Sequence, residues 1–319
     1  MSSSPDRQVR LVRPAPVAEL IRSDVTVGTL RGPRWRATAR GWYVRAYATQ
    51  DHPDQRIVEA AAVLPRVGAV GGWAAARALG ATVLEGRGIW GGREEPVLLC
   101  LGPGQIRERP GTRISRSPLP EHDVCMVAGI RVTSPLRTTF DGMRLASRLE
   151  DAVAFGDVML HRRLVDLPEL AAYVSDHAGW KGIALARRAL TLLDLGSRNP
   201  WESRFRVLWV VDAGMPRPRC NAPIHDEFGD LLGIVDLLDE AAGVVGEFDG
   251  GGHRDIGTHT YDNLREETLE DHGLVVVRAT SLDFGHRART AGRIRRAYAR
   301  AARGYHAQRR WTTQPERKV

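Results

Sequence analysis

The chain has 319 residues, enough for two ordinary domains, and its 43% apolar and 26% charged content is that of a folded globular protein rather than a disordered one. No stretch approaches the roughly 18 consecutive apolar residues of a membrane span, and the start MSSSPDRQVRLVRPAP lacks the apolar run of a secretion signal. The net charge of +8 is uneven: from Phe284 onward eleven Arg and Lys face one acid, Glu316, which leaves −2 for residues 1–283.

Residues 1–16, rich in Ser, Pro and Arg, predict a disordered leader. RGPRWRATARGWYVRAYA (31–48) alternates on both sides of Gly41 and predicts a two-stranded ribbon, a half-buried hairpin or a basic, aromatic track for nucleic acid. Helices follow over 54–64 and 71–79, then strands at EPVLLCLGP, TRISRSPL and GIRVTSPL. Ser134-Pro135 starts a helix through LRTTFDGMRLAS, and 147–195 is helical with breaks near 165–168 and 177–181. GSRNP (196–200) marks the predicted boundary, dividing a mixed and helical domain (17–195) from a C-terminal domain (196–305) with a basic tail (306–319). The second domain reads helix (200–213), strands (219–225, 231–238, 244–249), helix (259–272), strand (274–280) and basic helix (286–304). That order is an antiparallel meander flanked by helices, which makes the fold class α/β, specifically α+β. Cys100, Cys125 and Cys220 form no CxxC pair, so neither a disulfide framework nor a thiolate zinc site is expected, and the reading is cytoplasmic.

The stretch GIVDLLDEAAGVVGEFDGGGH (233–253) sets acids among strand-like apolar residues. If Glu240–Gly243 is the hairpin loop, Asp239 pairs with Val244 and Asp236 falls opposite Glu247, with Asp249 on the same face. Carboxylates so opposed have Cβ atoms about 5 Å apart and repel. Mg²⁺ or Mn²⁺, which take oxygen ligands, would relieve the conflict. The alternative is an edge hairpin whose acids face water. His253 follows three glycines and is read either as a functional residue beside the carboxylates or as their hydrogen-bond partner.

The segments from NPWESRFRV through GEFDGGGH and on to LVVVRAT resemble the C-terminal domain of actinobacterial proteins of unknown function. That domain is similar to the very-short-patch-repair endonucleases, of the PD-(D/E)xK nuclease-like fold. RGWYVRA, VGGWAAARALGA and GIRVTSPLRTTFD resemble the AbiEi-antitoxin-like front half of the same proteins. The resemblance implies Asp236 and Glu247 as metal ligands, Asp249 where the motif lysine stands, Glu202 as a helix-one glutamate near the metal, and His253 as an acid or base. Asn199 and Glu202 also spell a capping box. The resemblance places Arg265 and Arg278 near the active-site face, and Arg295 and Arg296 lie on the basic helix as further candidates for phosphate contact. The function so implied is metal-dependent hydrolysis of phosphodiesters, in DNA before RNA, in repair or phage defence. The alternative is a non-catalytic AbiEi-type antitoxin or DNA-binding regulator that keeps the nuclease fold and has a toxin as partner.

Overall fold

A computed structural model describes residues 10–87, 94–102, 106–250, 265–304 and 309–314. Helices and three sheets alternate in an α+β arrangement, and contacts divide the chain into two compact units, 1–141 and 142–319. Among the described residues no helix is long and apolar enough to cross a membrane.

The first unit opens with β1 (Ala15–Pro16), α1 (Val17–Arg22), α2 (Val27–Leu30), β2 (Trp35–Ala39) and β3 (Trp42–Arg45). The ribbon expected around Gly41 is β2–β3, turned by Gly41 at φ +75°. Residues 10–16, expected to be part of a disordered leader, are described and partnered. Ala15 and Pro16 pair with Tyr43 and Trp42, and Val12 exchanges both its backbone hydrogen bonds with Gln55. A partner edge and a buried amide override the disorder that Ser, Pro and Arg favour locally. After α3 (Pro53–Ala61), β4 (Ala69–Gly71) and α4 (Gly72–Ala78) come β5 (Val97–Cys100), β6 (Thr112–Ser115), β7 (Val124–Val127) and β8 (Ile130–Thr133). They form a sheet in the order β6-β5-β4-β8-β7, and α5 (Pro135–Arg144) begins at the predicted proline. Inside this unit Arg137 is fully buried, donating to Asp141 at 2.8 Å and Asp123 at 2.9 Å.

The second unit starts with α6 (Leu149–His161), α7 (Leu167–Asp176) and α8 (Ile183–Leu190), broken where the sequence predicts. Charge pairing ties this unit together across residues 196–200. Arg206 bonds Asp157 and Arg204 bonds Asp151 at 3.0 Å, which ties α6 to α9 (Pro200–Val207). A single π turn (Leu208–Asp212) extends α9. Then come β9 (Arg219–Asp226), β10 (Leu231–Asp239), β11 (Val244–Asp249), a helix over 265–271 (α10), β12 (Val275–Thr280), α11 (Arg287–Ala302) and β13 (Trp311–Thr312).

The sheet order is β12-β11-β10-β9-β13: β9, β10 and β11 form the expected antiparallel meander, and β12 returns parallel to β11. Its two faces bury separate layers. Phe205, Trp209, Ile294 and Ala297 of the α9 and α11 side pack on Leu237, Val244, Val275 and Val277. Leu269 of α10 and Trp311 pack on Ala222, Ile224, Val245 and Val276. Gly246 is the contact point of the first layer, because a Cβ there would meet Phe205 at 2.8 Å and Trp209 at 3.0 Å. Trp209 donates to the Tyr298 hydroxyl (3.0 Å), which donates to Asp239 (2.6 Å), so the buried indole and the half-buried phenol are both satisfied.

Candidate functional site

The acid stretch lies where β10 and β11 part. Their backbone register runs Asp239–Val244, Leu238–Val245 and Leu237–Gly246, as the hairpin reading predicts, and the next rung would set Asp236 against Glu247. That rung is not a backbone pair. The Asp236 carboxylate instead accepts the N–H of Phe248 at 2.7 Å, a side chain standing in for a missing ladder carbonyl.

The irregularity has a neighbour in β9. Residues two apart in a strand should share a face. Yet Val235 packs in the α10 layer and Leu237 in the α9 layer, and Ala222 and Cys220 divide in the same way. The switch falls on the rung of Asp236 and Asn221. Asn221 takes φ +50°, a left-handed value that Asn tolerates better than most residues. Its amide donates to Glu202 at 2.7 Å and to the Gly196 carbonyl at 2.8 Å, which holds the turn of the strand in place.

Asp236, Glu247 and Asp249 line one cavity of about 270 Å³ with Arg265, Arg278, Leu269 and Val276. Arg265 reaches in from α10: Nη2 donates to Glu247 Oε1 at 3.1 Å and to the Ile234 carbonyl. Gly233 makes the approach possible, since a Cβ there would stand 2.9 Å from Arg265 Nε. A glycine inside LLGIVD is the signal for such a close approach, one the sequence reading passed over. Arg278 pairs with Glu266 at 2.8 Å. Burial raises the Asp236 carboxyl above the usual carboxylate range, against the opposing pull of the Phe248 N–H and the charges of Arg265 and Arg198.

Glu202 does not line this cavity. It is buried at the start of α9, where Asn199 Oδ1 accepts the N–H groups of Trp201 (2.8 Å) and Glu202 (3.0 Å). The Glu202 carboxylate accepts from the Arg198 amide at 2.8 Å and from the Asn199 and Asn221 side chains. The capping role is therefore present. Burial again raises its carboxyl, against the hydrogen bonds from Arg198 and Asn221, and the Asp236 charge adds to that shift. His253 lies outside the described residues. Arg296 lines a different cavity, and Arg295 donates to the carbonyls of Asp212 (3.0 Å) and Ala213 (3.5 Å) at the end of the π turn.

The donor set bears on whether a divalent ion fits. Among the described residues no group of three His, Cys, Asp or Glu side chains is placed to hold a metal. Two carboxylates and waters can serve Mg²⁺, but here Glu247 holds a guanidinium and Asp236 a backbone amide.

Geometry thus defines an α+β protein with an arginine-filled acid pocket where the interior strands β10 and β11 of its C-terminal sheet part. Residues 95–195 match the family described as the AbiEi antitoxin C-terminal domain. Two proteins from different strains of Mycobacterium tuberculosis, both named as uncharacterised, are each 28% identical over 126 residues, which is 40% of this chain and 42% of theirs. The chain therefore spans under half the length of these curated relatives. No solved structure matches it.

Proposed function

We propose that this chain is an antitoxin-like, nucleic-acid-directed protein whose C-terminal sheet acts as a scaffold and not as a hydrolase. The observation that carries the reading is Arg265 seated on Glu247, 3.1 Å away, where a catalytic metal would need that carboxylate. An internal cation offsets the Glu247 charge without any ion from solution, and it competes with a water-bearing metal for that carboxylate. The match of residues 95–195 to the AbiEi antitoxin C-terminal family supports the same reading, and with it a toxin as protein partner and DNA as the nucleic acid.

The test combines binding and cleavage. Full-length protein is titrated against DNA with Mg²⁺ or with EDTA, and incubated with supercoiled, linear and single-stranded DNA and with RNA in Mn²⁺. The scaffold reading expects binding indifferent to EDTA and no cutting. Metal-dependent cutting that disappears in Glu247→Gln would overturn it.

One observation favours a second reading, a Mg²⁺- or Mn²⁺-dependent endonuclease. Asp236, Glu247 and Asp249 do share one cavity, in a sheet preceded by a helix and completed by a parallel strand. For that reading Arg265 must leave Glu247 when metal and phosphate arrive.

A further inference from the structure

Helix α11 and the residue after it carry seven arginines and no acid between 287 and 303. Three arginines are committed to the protein. Arg287 bonds Asp212 and Glu150, both at 2.5 Å; Arg293 bonds Asp283 at 2.5 Å and the Arg278 carbonyl; and Arg295 caps the π turn. The other four, Arg289, Arg296, Arg300 and Arg303, are exposed and make neither a hydrogen bond nor an ion pair with any described residue. Arg300 acts on Glu270 only at a distance.

These four do not scatter around the helix. With 3.6 residues per turn they fall in a stripe roughly 60° wide, and with a 1.5 Å rise they span about 21 Å. Arg296, Arg300 and Arg303 line a cavity of about 480 Å³ against β12. That cavity shares Val276 and Arg278 with the acid pocket. Like charges four apart on a helix repel, so Arg296 and Arg300 impose a cost that no described carboxylate offsets through an ion pair. A polyanion would remove it.

The shape of the patch selects the polyanion. A compact phosphate ligand would engage only the arginines at the cavity, whereas the stripe runs on along the helix to Arg289. A lipid surface calls for Trp, Phe or Leu to enter the headgroup layer, but the residues bordering the stripe are small, Gly292 and Ala299. Small borders let a sugar–phosphate chain approach the guanidinium forks, which suit phosphate oxygens.

We propose that the stripe Arg289–Arg296–Arg300–Arg303 tracks the backbone of a nucleic acid along α11 toward β12. The proposal rests on the nucleic-acid part of the function proposed above and needs neither a toxin nor hydrolysis.

The experiment measures binding of full-length protein to a short DNA duplex and to single-stranded DNA by fluorescence anisotropy, from about 50 to 200 mM salt. A variant with Arg296→Ala, Arg300→Ala and Arg303→Ala is compared with a control that removes equal charge from exposed positions elsewhere, Lys181→Ala, Arg187→Ala and Arg188→Ala. On duplex DNA each lost phosphate contact lowers the salt slope by about 0.9. The stripe variant should therefore lose about 2.7 in slope and bind more weakly at every salt, with the control close to wild type. If wild type binds DNA and the stripe variant matches it, the stripe is not the surface although the nucleic-acid reading stands. If wild type binds neither DNA, both fall. Binding to phosphatidylserine vesicles without binding to DNA would replace the proposal with a membrane surface. Equal thermal melting of the three proteins separates lost contact from lost fold.

Discussion

Two arginine–carboxylate clusters in this chain use the same chemistry in opposite settings. Arg137 lies in the first unit with both partners, Asp123 and Asp141, and none of the three side chains is more than 2% exposed. Burial opposes the Arg137 charge, yet the two carboxylates outweigh it and hold the guanidinium above its usual value. Arg265 lies at the rim of the second unit's sheet, 37% exposed, against a Glu247 that is 18% exposed. The first cluster has no water to fall back on, so its charges depend on one another for the fold. The second can exchange its partner for solvent, a metal ion or a phosphate at modest cost. Burial, more than residue type, separates a structural ion pair from an exchangeable one.

The contrast is open to direct test, and the largest effect should come from the buried cluster. Arg137→Ala leaves two carboxylates without their cation and should cost about 3–5 kcal/mol in urea unfolding; a loss under about 1 kcal/mol would place the two clusters in one class. Gly246→Ala forces a methyl group against Phe205 and Trp209 and should cost about 1–3 kcal/mol, read by the same unfolding curves. Arg265→Ala should change stability by less than about 1 kcal/mol while exposing the acids. Calorimetric titration with Mn²⁺ should then show binding that is tighter than in wild type. Gly233→Ala should imitate that gain by pushing Arg265 aside, and its failure to do so would mean that Gly233 does not seat the arginine.

The smallest effect is in pH dependence. Because burial raises the folded-state value of Asp236, its contribution to stability is present below the unfolded carboxylate range and is lost as pH rises through the raised value. Asp236→Asn keeps an oxygen for the Phe248 N–H but has no proton to exchange. Melting temperatures of the two proteins should shift in favour of the variant as pH rises from the acid side to neutrality, and a parallel pair of curves would show that Asp236 titrates normally.

Much of this arrangement is readable from residue order. Period-two patterning places β2–β3 about Gly41, Pro135 and Pro200 start α5 and α9 where helix-start rules put them, and the loop Glu240–Gly243 sets the β10–β11 register. The acids Asp236, Glu247 and Asp249 are legible as one cluster for the same reason, since a hairpin register is a local property. The pairing of α6 with α9 is not legible. GSRNP has the composition of a linker, but Arg204 and Arg206 find their carboxylates on α6, across more than fifty and nearly fifty residues of sequence respectively.

Residue order alone settled the β2–β3 ribbon, the helices α3 to α9, the meander β9–β11, the three acids on one hairpin and the basic charge gathered after Phe284, because propensity, alternation and charge act over a few residues. By contrast, β1, α1, α2, β4, β7 and β13 are too short to carry such a signal. Tertiary structure decided what those groups meet. It opened the ladder at Asp236, turned β9 over at Asn221, seated Arg265 on Glu247 above Gly233, and sorted the arginines of α11 into three that hold the fold and four that face outward. Each of those outcomes depends on a partner distant in sequence, and only packing fixes which partner arrives.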